Sequence, residues 1–495
     1  MGTQHVPSRR QFLSSAGTAC AGAALGVGFA RGAGLGAWLG LAEPERLRFG
    51  ALDPLVDLLQ ATEADALLPL LVAKLRAGLS LQELVAATAL ANARAFGGTH
   101  YDGYHCLMAL VPSLAMSARL PAPMAALPVL KVVHRTARTF GSADKHDADA
   151  LAPVEGAEAE ERALAQSAAA SPSRAHRELQ ELVRAQADVH RVVLAWRAYD
   201  LLRLTGEAHA STLLRLPLRF CLDADAKQAQ QGRPPHAIRA AVPAAMEKHD
   251  LAARKRGSRK AEDAWIERTA EGIYAADASG GAELAAAALE EGFDPEDVGR
   301  AISLAATFLL LRDAGRTRAE EGKPLGSVHG ATVGVHASDA ANAWRNLARA
   351  ADERLAFETL IAGAAHTAGQ SAGRLPAAFD HEAPATKLAS PDELLQHLDR
   401  CVQEQDQASA AATARRYDAL GHDPDRVFAA LLPRFVAHDG ALHAEKLFGT
   451  ALEEHASARR AHRGHYLAAL ARVAASAEGF PAPGVAAARE LLSIK

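Results

Sequence analysis

Apolar residues recur every three or four positions along most of the chain, and strict alternation of apolar and polar residues is rare. This spacing matches the 3.6-residue turn of an α-helix that buries one face. Runs of β-branched residues are few, which favours helix over strand. The pattern predicts an all-α protein, built from repeated antiparallel helical hairpins that pack into one large helical body.

One helix-start signal occurs three times. It is found in GLSLQEL from Gly78, GFDPEDV from Gly292 and GHDPDRV from Gly421. The glycine is typical of a helix end, and Ser80, Asp294 or Asp423 would cap the helix that follows. Pro295 and Pro424 stand at the first helical position, where a missing N–H costs nothing. We therefore expect three helices to begin at these sites.

A histidine follows each of these capped helices after a short polar break. The three stretches are LVAATALANARAFGGTHYDGYHCLMAL, VGRAISLAATFLLLRDAG continuing to GSVHGATVGVHASDAANAW, and VFAALLPRFVAHDGALHAEKLFGTAL. A fourth copy without a cap reads HRVVLAWRAYDLLRLTGEAHASTLLRL and has His209 near its end. We expect each unit to place one imidazole at the start of its second helix.

These histidines have aliphatic neighbours, and neutral imidazole beside apolar walls is a common metal ligand. The predicted ligands of one shared ion, one from each unit, are His105, His209, His329 and His443. Residues predicted as additional ligands, or as supports behind them, are His100, His336, His366 and Lys446. All-nitrogen ligation suits non-haem iron or another divalent transition metal. A histidine in the core or on the surface is the alternative at each position.

Lys446 lies three residues after His443, on the same helix face. A lysine beside a metal ligand can react with carbon dioxide and supply an anionic carbamate oxygen. The alternative is an ordinary lysine whose stem lies along the surface.

Composition narrows the functional classes. The 495 residues are 49% hydrophobic but only 5% aromatic, and the formal net charge of −4 argues against a nucleic-acid partner. No segment of the mature chain has 18 uninterrupted apolar residues, so no membrane span is expected. The organisation we predict is a helical half at 43–222, a charged linker at 223–262 and a second helical half at 263–495.

The N-terminus differs from the rest. SRRQFLSSAGTACAGAALGVGFA has Arg9-Arg10 before Phe12-Leu13 and then a weakly apolar Gly/Ala run, which resembles a twin-arginine export signal. We expect residues 1–42 to be this signal peptide, the export machinery to be a partner, and the mature chain to be periplasmic or extracellular. The later cysteines lie far apart without a CxxC pattern, which indicates neither a disulfide framework nor a zinc ribbon.

Three stretches, HYDGYHCLMAL, VHGATVGVHASDAANAW and HAEKLFGTAL, resemble the His-rich motifs of the questin oxidase-like proteins. That family consists of all-helical oxygenases that open aromatic polyketide rings without flavin or haem and are thought to use non-haem iron. The resemblance covers roughly residues 40–460, as a pattern of helices and histidines. It implies a metal-dependent oxidoreductase acting on an aromatic or other small organic substrate, with the four predicted ligands around the metal.

Two other functions remain open at this stage. A secreted helical-repeat scaffold would explain the caps and repeats without catalysis. A metal-dependent phosphohydrolase of the HD type is suggested by three His-Asp pairs, which are His146-Asp147, His249-Asp250 and His438-Asp439. No Gly-rich phosphate loop, GxSxG elbow or CxxCH haem site indicates other common chemistry.

Overall fold

A computed structural model of the chain describes residues 47–97, 101–142, 156–371, 379–381 and 386–494. Throughout these ranges the regular secondary structure is helical and no strand is formed, so the all-α prediction is confirmed. The predicted signal peptide at 1–42 and the predicted site residue His100 lie outside the described residues.

The first half of the described chain contains ten α-helices. They are α1 Asp53–Ala61, α2 Ala64–Arg76, α3 Leu81–Phe96, α4 Tyr101–Ser117, α5 Leu127–Ser142, α6 Glu158–Ala170, α7 Pro172–Val183, α8 Val189–Asp200, α9 Leu202–Thr205 and α10 Ala210–Gln230.

The second half continues with twelve more described helices. They are α11 Ile238–Lys248, α12 Asp263–Ala275, α13 Ala278–Glu290, α14 Pro295–Leu311, α15 Val333–Ala350, α16 Glu353–Ser371, α17 Pro391–Gln403, α18 Gln407–Ala419, α19 Pro424–Ala437, α20 His443–Ser457, α21 Arg460–Ala477 and α22 Val485–Leu491. None of the helices in the described ranges is long and apolar enough to cross a membrane.

The three predicted helix starts are confirmed. Ser80 forms a full capping box with Glu83 at the start of α3. The carboxylates of Asp294 and Asp423 each accept a hydrogen bond from the backbone N–H two residues further on, at the starts of α14 and α19. The three preceding glycines have φ between +79° and +104°, which residues with a Cβ rarely adopt.

The segment predicted as a charged linker, 223–262, is largely folded. Helix α10 extends into it, and α11 lies wholly inside it. Ile238 and Val242, one turn apart on α11, are buried, and the helix packs against α13 and α16. The two predicted halves are therefore joined in part by packed helical structure.

Four helices at the centre pack in a closed cycle. Helix α4 contacts α8, α8 contacts α15, α15 contacts α20, and α20 contacts α4. Three of them, α4, α15 and α20, come directly after the capped helices α3, α14 and α19 in the chain. This arrangement is a four-helix bundle, in which side chains distant in sequence can face one another.

Candidate functional site

The central bundle holds four histidines in contact, which we call the histidine cluster: His105, His190, His336 and His443. Each contacts two of the others, and neighbouring ring centres lie between 4.9 and 5.5 Å apart. The Nε2 atoms of His336 and His443 are 2.9 Å apart. His105 and His443 are only 5% and 3% exposed, so this is an interior cluster and not a surface patch.

Each of the four bundle helices contributes one imidazole from near its N-terminus. His443 is the first residue of α20, His190 the second of α8, His336 the fourth of α15 and His105 the fifth of α4. The N-termini of the four helices therefore meet at the cluster. Their partial positive charges disfavour protonated imidazole and favour an anionic group nearby.

Oxygen acceptors select the tautomer at three of the rings. Nδ1–H of His105 donates to the carbonyl of Tyr101 at 2.8 Å, and Nδ1–H of His443 donates to the carbonyl of Ala441 at 3.0 Å. Nδ1 of His190 lies 3.3 Å from the Asp188 carboxylate. A proton on Nδ1 leaves the lone pair on Nε2, which is how metal-binding histidines are commonly oriented.

Two of these Nε2 atoms make no hydrogen bond with the described residues. Nε2 of His105 and Nε2 of His190 are buried and have no hydrogen-bond partner in the described part of the chain. The remaining pair, on His336 and His443, contact only each other through Nε2. Buried polar atoms are normally satisfied, and unsatisfied ones call for an explanation such as a bound ion or water.

Three of the rings, those of His105, His336 and His443, are held neutral. Burial lowers the pKa of His105 to about 2 and that of His336 to about 3, and it lowers the pKa of His443 well below its usual value. The positive charge of Lys446 acts in the same direction on all three. These three residues therefore offer uncharged imidazoles at neutral pH.

The spacing of the four rings fits a four-nitrogen metal site, but their lone pairs do not converge on one position. Imidazoles that share one ion through bonds of about 2.0–2.1 Å have ring centres roughly 5 Å apart, close to the observed separations. In the described part of the chain, however, no three or more His, Cys, Asp or Glu side chains are already arranged as the ligands of one ion. Ring rotations within the cluster are needed to converge the lone pairs.

The backbone is strained in the turn directly before His443. The two residues before it, Ala441 and Leu442, have φ of 49° and 66°, a left-handed conformation that costs non-glycine residues about 1–2 kcal/mol each. The Asp439 carboxylate accepts a hydrogen bond from the Ala441 N–H at 2.8 Å and holds this turn. Such strain is often found where a side chain must be aimed.

Aromatic residues form one wall of the cluster. Tyr104 is buried and stacks on His105 with ring centres 4.9 Å apart, and Phe220 packs edge-on against Tyr104 at the same distance. Tyr101 lies 4.5 Å from His105 and is 58% exposed. This wall therefore leads from the surface to the imidazoles, in a chain that has few aromatic residues.

A buried ion pair lies one helical turn beyond the cluster. Asp339 on α15 follows His336 by three residues, and Lys446 on α20 follows His443 by three. The Lys446 Nζ and Asp339 Oδ2 atoms are 3.7 Å apart, and Thr450 donates to the other carboxylate oxygen at 3.1 Å. Burial lowers the pKa of Lys446 and raises that of Asp339, because it disfavours both charges.

Beyond this ion pair, further polar residues pair between α15 and α20, and together they form a polar stripe. Asn342 donates to Glu453 and Glu454, each at 2.9 Å, and Arg345 forms an ion pair with Glu454. Residue numbers rise together along both helices, so α15 and α20 run in the same direction and pair polar residues turn by turn. The stripe keeps the two helices in register and thereby fixes His336 against His443.

The structure brings together only part of the predicted ligand set. His105 and His443 belong to the cluster, together with His336, which was predicted as an additional ligand or support. His209 and His329, also predicted as ligands, lie outside the cluster. His209 packs edge-on against Phe49 at the start of α10. His329 has both ring nitrogens occupied, by Ser476 at 2.9 Å and by the Gly322 carbonyl at 2.8 Å.

The other predicted supports have defined partners. Nδ1 of His366 accepts a hydrogen bond from the Trp344 indole at 3.0 Å, and burial lowers the pKa of His366 to about 4. Lys446 is buried against Asp339 and is not a surface lysine. A carbamate on Lys446 would place two anions together, which disfavours that modification.

Sequence analysis missed His190. The fourth histidine unit was assigned to α8–α10 and to His209, whereas the structure has it one helix earlier, at α7–α8. Ser171 caps α7 with Pro172 at its first position, and Asp188 caps α8 two residues before His190. The capping pair Ser171-Pro172 resembles Asp294-Pro295 and Asp423-Pro424, and that signal was available in the sequence.

In the two described His-Asp pairs of the phosphohydrolase alternative, one member is engaged by other groups. His146-Asp147 lies outside the described residues. Both ring nitrogens of His249 form hydrogen bonds with carboxylates, that of Glu290 at 2.5 Å and that of Glu283 at 3.0 Å. Asp439 is engaged by the backbone of Ala441.

Comparison with known proteins gives no assignment: no family model, no curated protein and no solved structure matches the chain. The histidine cluster and its surroundings therefore carry the functional argument alone.

Proposed function

We propose that the protein is a metal-dependent oxidoreductase of the oxygenase type, with a non-haem iron or another divalent transition metal held by His105, His190, His336 and His443. The single observation that supports this proposal is the cluster itself: four imidazoles from four helices, with two buried Nε2 atoms that lack partners among the described residues. A core that needed only packing would not bury four imidazoles together, because each unsatisfied polar group is costly.

The metal would supply an open position that polarises a substrate oxygen or binds a second reactant. The chain's own residues supply the rest. The Tyr101 and Ala441 carbonyls and the Asp188 carboxylate hold protons on Nδ1 of three ligands. Buried apolar neighbours such as Leu107 and Leu447 exclude water and strengthen electrostatic interactions in the site.

The substrate that fits this site is a small aromatic molecule with an acidic oxygen. Tyr104 and Phe220 present ring faces and edges beside the cluster, which favours stacking of a flat ring. The converging helix N-termini favour an anionic oxygen, such as a phenolate or carboxylate, over a cation. Tyr101 marks the exposed end of this aromatic wall.

We further propose that the chain is exported through the twin-arginine route to the periplasm or beyond. Support comes from Arg9-Arg10 and the Gly/Ala run that follows. Replacing both arginines by lysine is expected to retain the precursor in the cytoplasm, as measured by fractionation. Unchanged export of that variant would contradict the route.

Metal analysis tests the enzyme proposal. The mature chain is loaded with ferrous iron or another divalent metal, desalted and measured by elemental analysis, with close to one ion per chain expected. His105→Ala, His190→Ala, His336→Ala and His443→Ala are each expected to lower metal affinity at least tenfold while helicity stays unchanged.

The matched control is His209→Ala, which removes a half-buried histidine near a helix start outside the cluster. It is expected to retain full metal. If the wild type binds no metal, or if the control and cluster variants behave alike, the metal site does not exist, and a binding scaffold becomes the better description.

A further inference from the structure

A narrow cavity, distinct from the aromatic wall, reaches the histidine cluster. It lies between α15, α19, α20 and α21 and leaves about 10 Å³ free for the centre of a water-sized molecule. His443 lines it, together with Val335, which directly precedes His336. Most of its wall is buried, whereas Arg434, His438 and Ala477 at one end are half-buried. The cavity thus runs from near the surface to a residue of the cluster.

The lining is suited to an apolar occupant. Phe435, Leu447, Val473 and Ala474 face the cavity and are buried. The polar groups in the inner wall already have partners: His329 is bonded at both nitrogens, and Nδ1–H of His443 is bonded to a backbone carbonyl. A buried water needs two to four polar partners, and an apolar cavity of this kind stays dry or takes up apolar molecules.

The outer end is polar but balanced in charge. The Arg434 guanidinium pairs with Glu478 at 2.8 Å and with Asp399 at 2.7 Å, so it offers no free cation to attract an anionic ligand. The cavity is also narrow, which excludes a flat aromatic ring. A small uncharged molecule is the occupant that both features admit.

We infer that this cavity binds a small apolar molecule, dioxygen, and conducts it to the histidine cluster, while the organic substrate uses the aromatic wall. The assignment of dioxygen rests on the proposed oxygenase function; the binding of a small apolar molecule does not. With separate routes, dioxygen would reach the site while the organic substrate covers the aromatic wall.

Xenon under pressure is the probe for the cavity. Crystals of the metal-free mature chain are expected to show xenon between Leu447 and Ala474. Ala474→Leu fills the inner part and Ala477→Leu closes the outer end, and each is expected to abolish the xenon site. The matched control, Ala469→Leu on the same helix, lines a second cavity instead and is expected to leave the site occupied.

Dioxygen itself is tested in solution by the paramagnetic broadening of methyl resonances. In oxygen-saturated buffer, the Leu447 and Val335 methyls should broaden at least twofold more than the methyls of Leu470, which lines the second cavity only. Ala477→Leu, which changes a half-buried residue and is the milder substitution for folding, should remove that difference.

Ordered water filling the cavity, xenon retained in both filling variants, or equal broadening of all these methyls would overturn the inference. Because the xenon experiment needs no metal, its outcome is separate from that of the metal analysis. Xenon binding in a chain that takes up no metal would remove the proposed function and leave the cavity as a site for small apolar molecules.

Discussion

Asp339 and Lys446 form a buried ion pair, 3.7 Å apart, in the helical turns that follow His336 and His443. The Lys446 charge lowers the pKa of three cluster histidines, so the pair acts on the cluster electrostatically as well as holding α15 against α20. A metal cation in the cluster would be repelled by Lys446 and attracted by Asp339.

The two members of this pair should therefore change metal affinity in opposite directions. Lys446→Met leaves an anion near the metal and should tighten binding, whereas Asp339→Asn leaves a cation and should weaken it, with about tenfold between the two variants. Chelator competition at neutral pH measures both. Thr450→Val is the neutral control, since it removes a hydrogen bond to Asp339 but no charge. Weakening by both charge variants would indicate structural damage instead.

Asp188 should support metal binding through His190. Asp188→Asn keeps a good N-cap for α8 but removes the carboxylate that faces Nδ1 of His190, and metal affinity should fall about tenfold. Thermal stability should change little. Asp277→Asn, which alters the N-cap of α13 in the same way, is the matched control. Equal metal affinity in both variants would exclude a supporting role for Asp188.

The strained turn before His443 should be relieved by glycine. Ala441→Gly should raise the free energy of unfolding by about 1 kcal/mol, because glycine adopts the left-handed conformation without cost. Ala429→Gly, at an exposed position of α19, should lower it by about 1 kcal/mol. Urea unfolding of the metal-free protein measures both. A stability loss in Ala441→Gly would show that the turn is not strained.

His176 should make the fold sensitive to acid. It is buried against Tyr199, with ring centres 4.0 Å apart, and neither of its nitrogens has a hydrogen-bond partner among the residues that the structure describes. Burial lowers its pKa to about 3, so the unfolded chain takes up a proton near pH 6.5 while the folded chain does not. The stability that His176 contributes is full above about pH 6.5 and is lost as the pH falls towards 3.

Between pH 7 and pH 5 this histidine should cost the wild type about 2 kcal/mol of unfolding free energy. His176→Phe keeps a flat ring on Tyr199 but cannot take up the proton, so its loss over the same range should be smaller by that amount. Urea titrations at the two pH values compare the proteins. Parallel losses would mean that His176 titrates normally in the folded state.

The sequence by itself determined the helices and their starts. The capping of α3, α14 and α19 depends on residues within four positions of each other, such as Ser80 with Glu83 and Asp294 with the N–H of Glu296. Local geometry of this kind can be inferred from spacing alone. The expectation that histidines near the starts of successive helices would meet at a common centre also came from a local pattern, the recurrence of one position.

Tertiary structure decided which histidines meet. His329 and His336 lie only seven residues apart, yet His336 is on α15 facing His443, whereas His329 is in the preceding turn, bonded to Ser476. His190 and His209 both lie near a helix start, and only α8 belongs to the central bundle. Whether a histidine joins the cluster depends on which helices pack together. The contacts that decide this span 85 or more residues, the smallest separation being that of His105 and His190. Sequence spacing limits what one helix can present, but the partner on the facing helix is fixed only when the apolar faces of the whole bundle are buried at once.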